Sequence, residues 1–387
     1  MDFKIGLLND SFPPTIDGVA NCVKNYADII CEKYGTPTVI TPEYPHVIDN
    51  YPYEVYRYSS VKFSGKMPYR VGNPFSPACI VDLKAKNFDI IHNHCPFASG
   101  LLAHYIAGKK TPLVFTYHTK FDIDIDNYVR NEQFNTISKK FILNNIKFSD
   151  EVWCVSHGSV ESLRNLGYKG DVQVMPNGTD FKKGKADQKL IDEIKHLYKI
   201  DGSVPIFVFC GRMMWYKNIK LILDGLKLLN KDGYNFKMLF IGGGPDRAPI
   251  EHYSNYLGFP KGTIEFTGPI YDREKIRAVY SIADLLLFPS TYDTSGLVVK
   301  EAAACDCASL LVKGSCASEG ITDGVDGVLI EETPESLAKA IADIIKIDGL
   351  FNKLGKAAGE NVYFSWDDAV AKAYERYQYI IENQKRK

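Results

Sequence analysis

Long apolar runs are missing from this 387-residue chain. No stretch reaches the roughly 20 residues that span a bilayer, which excludes a transmembrane helix. An excess of charge is missing too: 46 Lys and Arg stand against 47 Asp and Glu, a net charge of −1. That balance argues against a nucleic-acid-binding protein, and 45% hydrophobic residues argue against disorder. There is no tandem repeat and no low-complexity tract. Paired cysteine spacing is absent: the nine cysteines fall at irregular intervals, and Cys305 with Cys307 finds no second pair to complete a zinc set. Reduced thiols serving as core filler are expected, as in a cytosolic protein. The N-terminus enters a strand at once, Met1-Asp2-Phe3-Lys4-Ile5-Gly6-Leu7-Leu8, with no basic leader and no cleavage site.

What is present is alternation. The length is too great for one ordinary core and predicts two domains. In the first half apolar strands are predicted near 4–9, 36–41, 89–93, 112–118, 151–156 and 172–176. Helical patterns separate most of them, for example 18–32 and 127–147. The series restarts at 206–210 and continues at 237–242, 263–267, 284–289, 308–312 and 327–330. Strands alternating with helices predict an α/β protein with two parallel, doubly wound, Rossmann-like sheets. The polar stretch Phe181–Gln188 reads as the linker. A last helix from Trp366 carries Val370, Ala373, Tyr374, Tyr377 and Ile381 at helical spacing. The expected divisions are 1–180, 181–364 and a terminal helix over 365–387. The closing Lys385-Arg386-Lys387 reads as a solvated tail.

The densest chemistry follows the apolar strand Asp284-Leu285-Leu286-Leu287-Phe288. There, Asp293 and Glu301 lie eight positions apart around Gly296, one in the loop and one inside the next helix. Ligands of open α/β sheets bind at such strand ends. Carboxylates there can grip sugar or ribose hydroxyls, and the amides near Gly296 and Leu297 suit a phosphate. Arg212 and Lys217 follow the first strand of the second half, where two cations would neutralise a diphosphate leaving group. Phe240-Ile241-Gly242-Gly243-Gly244-Pro245 is either a tight turn or a close backbone approach to phosphate, with Gly243 at its centre. It is neither a dinucleotide fingerprint nor a P-loop.

In the first half, Phe12-Pro13-Pro14-Thr15-Ile16-Asp17-Gly18-Val19 forms the first strand-to-helix loop. His118 ends a strand and can hydrogen-bond a hydroxyl. On a strand Asp122, Asp124 and Asp126 would share one face and could hold a divalent metal, but no strand pattern surrounds them. The favoured reading is a helix cap at Asp126-Asn127, or contact with an acceptor. His92 and His94 read as crevice lining, since no third ligand accompanies them in sequence.

Together these pieces resemble the retaining nucleotide-sugar glycosyltransferases of family 4, which have the GT-B fold of two Rossmann-like domains facing across a cleft. The resemblance covers almost the whole chain. Asp293 and Glu301 stand at the family's Glu-x7-Glu positions, Arg212 and Lys217 at its basic pair, Pro13, Pro14, Gly18 and Val19 at its first loop, and His118 at its strand histidine. The resemblance implies that Arg212 and Lys217 hold the donor diphosphate, and that Glu301 binds ribose. It places Asp293 on hydroxyls of the sugar and Ile270 by the uracil. Gly18 would lie by the phosphates and His118 by the 6-hydroxyl, while Gly296 and Leu297 assist sugar and phosphate. The chain departs from the pattern at Asp293, one methylene shorter than glutamate, and at Thr294 and Ser295.

The function this implies is metal-independent transfer of a hexose, glucose favoured, from a UDP-sugar with retention. No cofactor beyond the donor is expected. The donor would bind the second domain and the acceptor the first, with closure around both. Thr116-Tyr117-His118-Thr119-Lys120-Phe121 is similar to the diacylglycerol glucosyltransferase branch. A membrane lipid is therefore the favoured acceptor, ahead of a polysaccharide, glycoprotein or small molecule. Lys139, Lys140 and Lys147 lie with Phe141, Ile142, Leu143 and Phe148 on one helical segment. Two readings stand for it: a helix with a solvated back, or a peripheral contact with the inner face of the cell membrane. A UDP-sugar epimerase and a non-catalytic sugar-nucleotide-binding protein of the same fold are the alternatives from other classes. No nucleic acid is expected as a partner.

Overall fold

The computed structural model describes residues 2–15, 17–62, 70–129 and 131–384. Ile16 in the proline-rich loop and the Lys385–Lys387 tail lie outside them. The chain divides into two compact units, residues 1–177 with 366–387, and residues 178–365.

The first unit carries seven strands in one parallel sheet: β1 (Phe3–Leu8), β2 (Gly35–Pro42), β3 (Glu54–Tyr58), β6 (Ile90–Asn93), β7 (Leu113–Tyr117), β8 (Glu151–Cys154) and β9 (Gln173–Val174). A separate hairpin, β4 (Ser60–Lys62) with β5 (Arg70–Gly72), lies between β3 and β6 in sequence. The sheet order is β3-β2-β1-β6-β7-β8-β9. Its helices are α1 (Gly18–Lys33), α2 (Pro77–Ala85), α3 (Ala98–Ala107), α4 (Phe121–Tyr128), α5 (Glu132–Lys147) and α6 (His157–Asn165). Strands such as Ile90–Asn93 and Leu113–Tyr117 are buried at every position, as parallel strands covered on both faces must be.

The second unit repeats the plan. Its helices are α7 (Gln188–Leu197), α8 (Ile219–Lys231), α9 (Arg247–Leu257), α10 (Arg273–Ile282), α11 (Leu297–Ala304), α12 (Pro334–Ile345) and α13 (Leu350–Asn361). Its strands are β10 (Ile206–Cys210), β11 (Lys237–Ile241), β12 (Ile264–Gly268), β13 (Leu285–Leu287), β14 (Ala308–Val312) and β15 (Val328–Ile330). They pair in the order β12-β11-β10-β13-β14-β15. In each sheet the chain reverses its direction of growth once, between β1 and β6 and between β10 and β13. The C-terminal ends of those strands are the ligand position of an open α/β sheet.

The last helix, α14 (Trp366–Gln384), belongs to the first unit. Trp366, Val370, Ala373, Tyr374, Tyr377 and Ile381 are all buried, which is the stripe that their spacing picks out. Tyr374 stacks on Tyr34 at 4.6 Å between ring centroids, and Arg376 forms a forked ion pair with Glu151.

Three local expectations differ. β3 escaped the sequence reading because Glu54-Val55-Tyr56-Arg57-Tyr58 is polar at two of its five positions. The helix expected over 127–147 is two helices, because Asn131 caps the second by accepting from the amides of Gln133 and Phe134. Phe181–Gln188 is not a free linker: Phe181 and Ala186 are buried in the second core, and the Gly184 amide donates to Ala304 at 2.7 Å. Among the described residues no helix is long and apolar enough to cross a membrane. All nine cysteines are free thiols.

Candidate active site

The second unit assembles most of the expected site at its switch point. Phe288 through Gly296 leave β13, and Gly211 through Asn218 leave β10, the strand beside it. Lys217 reaches across and donates to both oxygens of Asp293 at 2.7 and 2.8 Å. Ser290 donates to the same carboxylate at 2.5 Å, and Lys217 Nζ lies 5.5 Å from the Phe288 ring centroid. The shorter side chain of aspartate is thus fully engaged. Arg212, by contrast, is exposed and makes no ion pair with any described residue. One expected cation is committed to a carboxylate and the other is not.

Glu301 sits buried on α11. Its Oε1 accepts from Arg273 at 2.8 Å, and Arg273 also pairs with Asp180 and lies over the Phe181 ring. The Tyr280 hydroxyl is 3.5 Å from Oε2. Burial pushes the Glu301 carboxyl above the usual carboxylate range, and the Arg273 charge pulls it part of the way back. Next to it, burial lowers the Lys300 ammonium to about 8. Lys300 Nζ lies 5.1 Å from the Phe364 centroid.

The three glycines after β11 separate into distinct jobs. Gly242 has φ of +134°, and a Cβ there would lie 1.9 Å from the Gly211 carbonyl oxygen. A Cβ on Gly244 would lie 2.4 Å from the Met213 carbonyl oxygen. Both are therefore demanded by the close packing of this loop on the Arg212 loop, which the Met213 amide seals by donating to Gly243 O at 2.8 Å. A Cβ on Gly243 would meet nothing nearer than Pro269 at 3.8 Å, so the space beside its Cα is open. Gly296 caps α11 in the left-handed region at φ +56°, where a Cβ would crowd Ala317 at 2.8 Å. It puts the Leu297 amide at the helix start. Ile270 follows β12 and packs half-buried on the core.

In the first unit the loops leaving β1, β6 and β7 bring other residues together. Gly18 and Val19 open α1, but the Val19 amide already donates to the Asp17 cap at 2.9 Å. The proline loop is pinned by Arg57, which donates to Pro13 O at 2.7 Å and forks onto Asp49. His118 Nε2 lies 3.0 Å from His94 Nδ1. Behind them His92 bridges the Tyr377 hydroxyl at 2.5 Å and Thr116 Oγ1 at 2.6 Å. Burial drives all three imidazoles toward the neutral form, His118 to about 3. A neutral imidazole has one donor and one acceptor nitrogen, and Nε2 of His118 is engaged with His94. Asp10, at the end of β1, accepts from the Ser99 amide at 2.8 Å, and its Oδ2 has no partner among the described residues.

Asp122, Asp124 and Asp126 lie in helix α4, not on a strand, and turn to different partners. Asp122 accepts from Ser162, while Asp126 pairs with Lys139 at 2.6 Å. Cys22, His94 and His118 bring their ligand atoms within 4.8 Å of one another. Tetrahedral zinc holds such ligand atoms about 3.3–3.7 Å apart.

Two family models match the chain. "Glycosyltransferase Family 4" matches residues 16–183 and "Glycosyl transferases group 1" matches 191–361, so that between them they account for most of its length. The chain belongs to the family 4 glycosyltransferases. It is 26% identical to alpha-monoglucosyldiacylglycerol synthase of Streptococcus pneumoniae over 78% of this chain and 69% of that protein. It is 23% identical to the Acholeplasma laidlawii enzyme of the same name, over 92% and 91%. Among solved structures it is similar to Anabaena HepE in complex with UDP and glucose, with a TM-score of 0.73 and 17% identity over 97% of this chain and 99% of that one. The two parallel sheets are those of the GT-B fold.

In this glycosyltransferase the sequence reading overlooked Arg273, Tyr280, Asp180, Ser290 and Asp10. Ser290 was visible beside Asp293 in the same loop. Arg273 had a weaker signal, the cap Asp272 that starts α10 directly after the Ile270 turn. Asp180 and Tyr280 had none, because only folding brings them to Glu301.

Proposed function

We propose that the protein transfers a hexose, glucose favoured, from a UDP-sugar to an acceptor hydroxyl with retention of configuration, and that the acceptor is a membrane lipid of the diacylglycerol class. The observation that carries this reading is the arrangement at the β10–β13 switch point. There Lys217 is fixed on the loop that also presents the uncommitted guanidinium of Arg212. Charge grows on the departing β-phosphate, and two cations with the α11 amides oppose it where it develops. The backbone of Gly243 leaves room for the diphosphate, and Glu301 is the ribose contact. The Ile270 backbone reads the uracil.

Both carboxylates of the acidic motif are engaged, Asp293 by Lys217 and Ser290 and Glu301 by Arg273. The family resemblance suggests a front-face displacement. The bond from the anomeric carbon to the β-phosphate oxygen breaks, the acceptor oxygen bonds to the same face, and the acceptor proton passes to the departing diphosphate. Protein cations supply the charge that a metal supplies elsewhere, so chelators are expected to leave the rate unchanged. The lipid acceptor is supported by the similarity to two alpha-monoglucosyldiacylglycerol synthases, and UDP by the similarity to a structure holding UDP and glucose.

The test is UDP release over a panel of nucleotide sugars with lipid, saccharide and peptide acceptors. UDP-glucose with diacylglycerol is expected to give the fastest release. Arg212→Ala and Glu301→Ala are each expected to lower it by at least about 10²-fold, the cost of losing one charge-stabilising donor. Near wild-type transfer in both variants would overturn the site, and release that needs no acceptor would overturn transfer.

A further inference from the structure

Helix α5 buries Ile142, Asn145 and Ile146 against the first core. Yet three of its large apolar side chains point outward: Phe134 is 64% exposed, Ile137 60% and Phe141 43%. Their spacing, three and then four residues, lays them in one stripe along the helix. Phe148, seven positions beyond Phe141 and 45% exposed, extends the stripe past the C-terminus and stacks on His104 at 3.9 Å. Beside the stripe runs a second one. Lys140 and Lys147 are seven apart, exposed, and without an ion pair among the described residues, whereas Lys139 is taken by Asp126. The helix thus has a buried face, an exposed apolar edge and a basic flank.

The geometry points to α5 as the surface that docks this protein on an anionic lipid bilayer. Apolar side chains would enter the boundary between headgroups and acyl chains while the two ammonium groups stay among the phosphates. The charge pattern favours a bilayer over a protein partner. So does the area: four partly exposed side chains offer roughly 400 Å² at 150–250 Å² for each complete one. A stable protein interface needs about 800 Å² on each side. The inference rests on the lipid-acceptor reading for its purpose, since docking brings the enzyme to a substrate that does not leave the membrane.

The test is co-sedimentation of the full chain with vesicles of phosphatidylcholine alone and of an equimolar mixture with phosphatidylglycerol. Wild type is expected to bind the mixed vesicles. Joint replacement Phe134→Ser, Ile137→Ser and Phe141→Ser is expected to weaken binding at least tenfold. Lys140→Ser and Lys147→Ser are each expected to cost about fivefold on anionic vesicles and nothing on neutral ones. Transfer to a dispersed short-chain diacylglycerol, which needs no docking, is expected to be unchanged in every variant and shows that they fold. Wild type that does not sediment overturns the inference, as does unaltered sedimentation of the triple variant. A dimer that the triple variant abolishes, in a protein that ignores vesicles, makes the stripe a contact between copies. Docking without transfer to any diacylglycerol would sink the acceptor reading and leave the surface standing.

Discussion

The histidine cluster at the mouth of the first sheet makes stability depend on pH in a calculable way. His92, His94 and His118 are buried, stacked against one another, and depressed below the ordinary imidazole range by burial. Unfolded, each titrates near 6.5. A histidine depressed in the fold takes its proton first in the unfolded chain, so its contribution is present above about 6.5 and is lost as pH falls toward the folded value. Between pH 7.5 and 5.0 His118 forfeits about 2 kcal/mol, at 1.36 kcal/mol per unit over about 1.5 units. His92 and His94 add losses of the same sign. Asp124 works the other way: burial and Asp122 raise it to about 6, so its protonation over the same interval returns about 1.4 kcal/mol. Burial raises Asp10 as well, which adds to that return. With three histidines set against two carboxylates, the first unit should lose stability on acidification to pH 5. Urea denaturation at several pH values measures this, read by the fluorescence of Trp153, which is buried 4.9 Å from His92. His94→Gln should flatten the dependence. A midpoint that does not move between pH 7.5 and 5.0, or a slope untouched by that variant, refutes the account.

Gly242→Ala forces a Cβ into the Gly211 carbonyl and should cost about 3 kcal/mol, whereas Gly243→Ala should stay within about 0.5 kcal/mol and show instead as weaker nucleotide-sugar binding by calorimetry. Equal destabilisation by the two would contradict the division of labour in that loop. A double-mutant cycle of Lys217→Ala and Asp293→Ala, followed by thermal unfolding, should show about 1–3 kcal/mol of coupling, and additive losses would mean the pair is incidental.

The GT-B architecture was legible because its signals are local. Strands such as Phe207-Val208-Phe209 are apolar at every position, helices separate them, and α14 announces its buried stripe at helical spacing. Caps and edge strands were less so. Asn131 splits one helical pattern into two, and β3 is an edge strand whose polar side chains hide it. For the site, the sequence named the loops and their charges. It could not pair them, because Lys217 and Asp293 are 76 positions apart and meet only once β10 lies beside β13. The exposed edge of α5 was undecidable for a related reason. Periodicity tells that a helix has faces, but which face the core takes depends on what packs against it.

By itself the sequence determined the fold class, two parallel sheets, and the strand ends at which chemistry gathers, because those depend on hydrophobic period and short spacings. Only the tertiary structure decided which charges are spent and which remain. It gave Asp293 to Lys217 and Glu301 to Arg273, left Arg212 uncommitted, and kept three histidines neutral. Each outcome depends on burial and on partners far away in the chain, which no local pattern encodes.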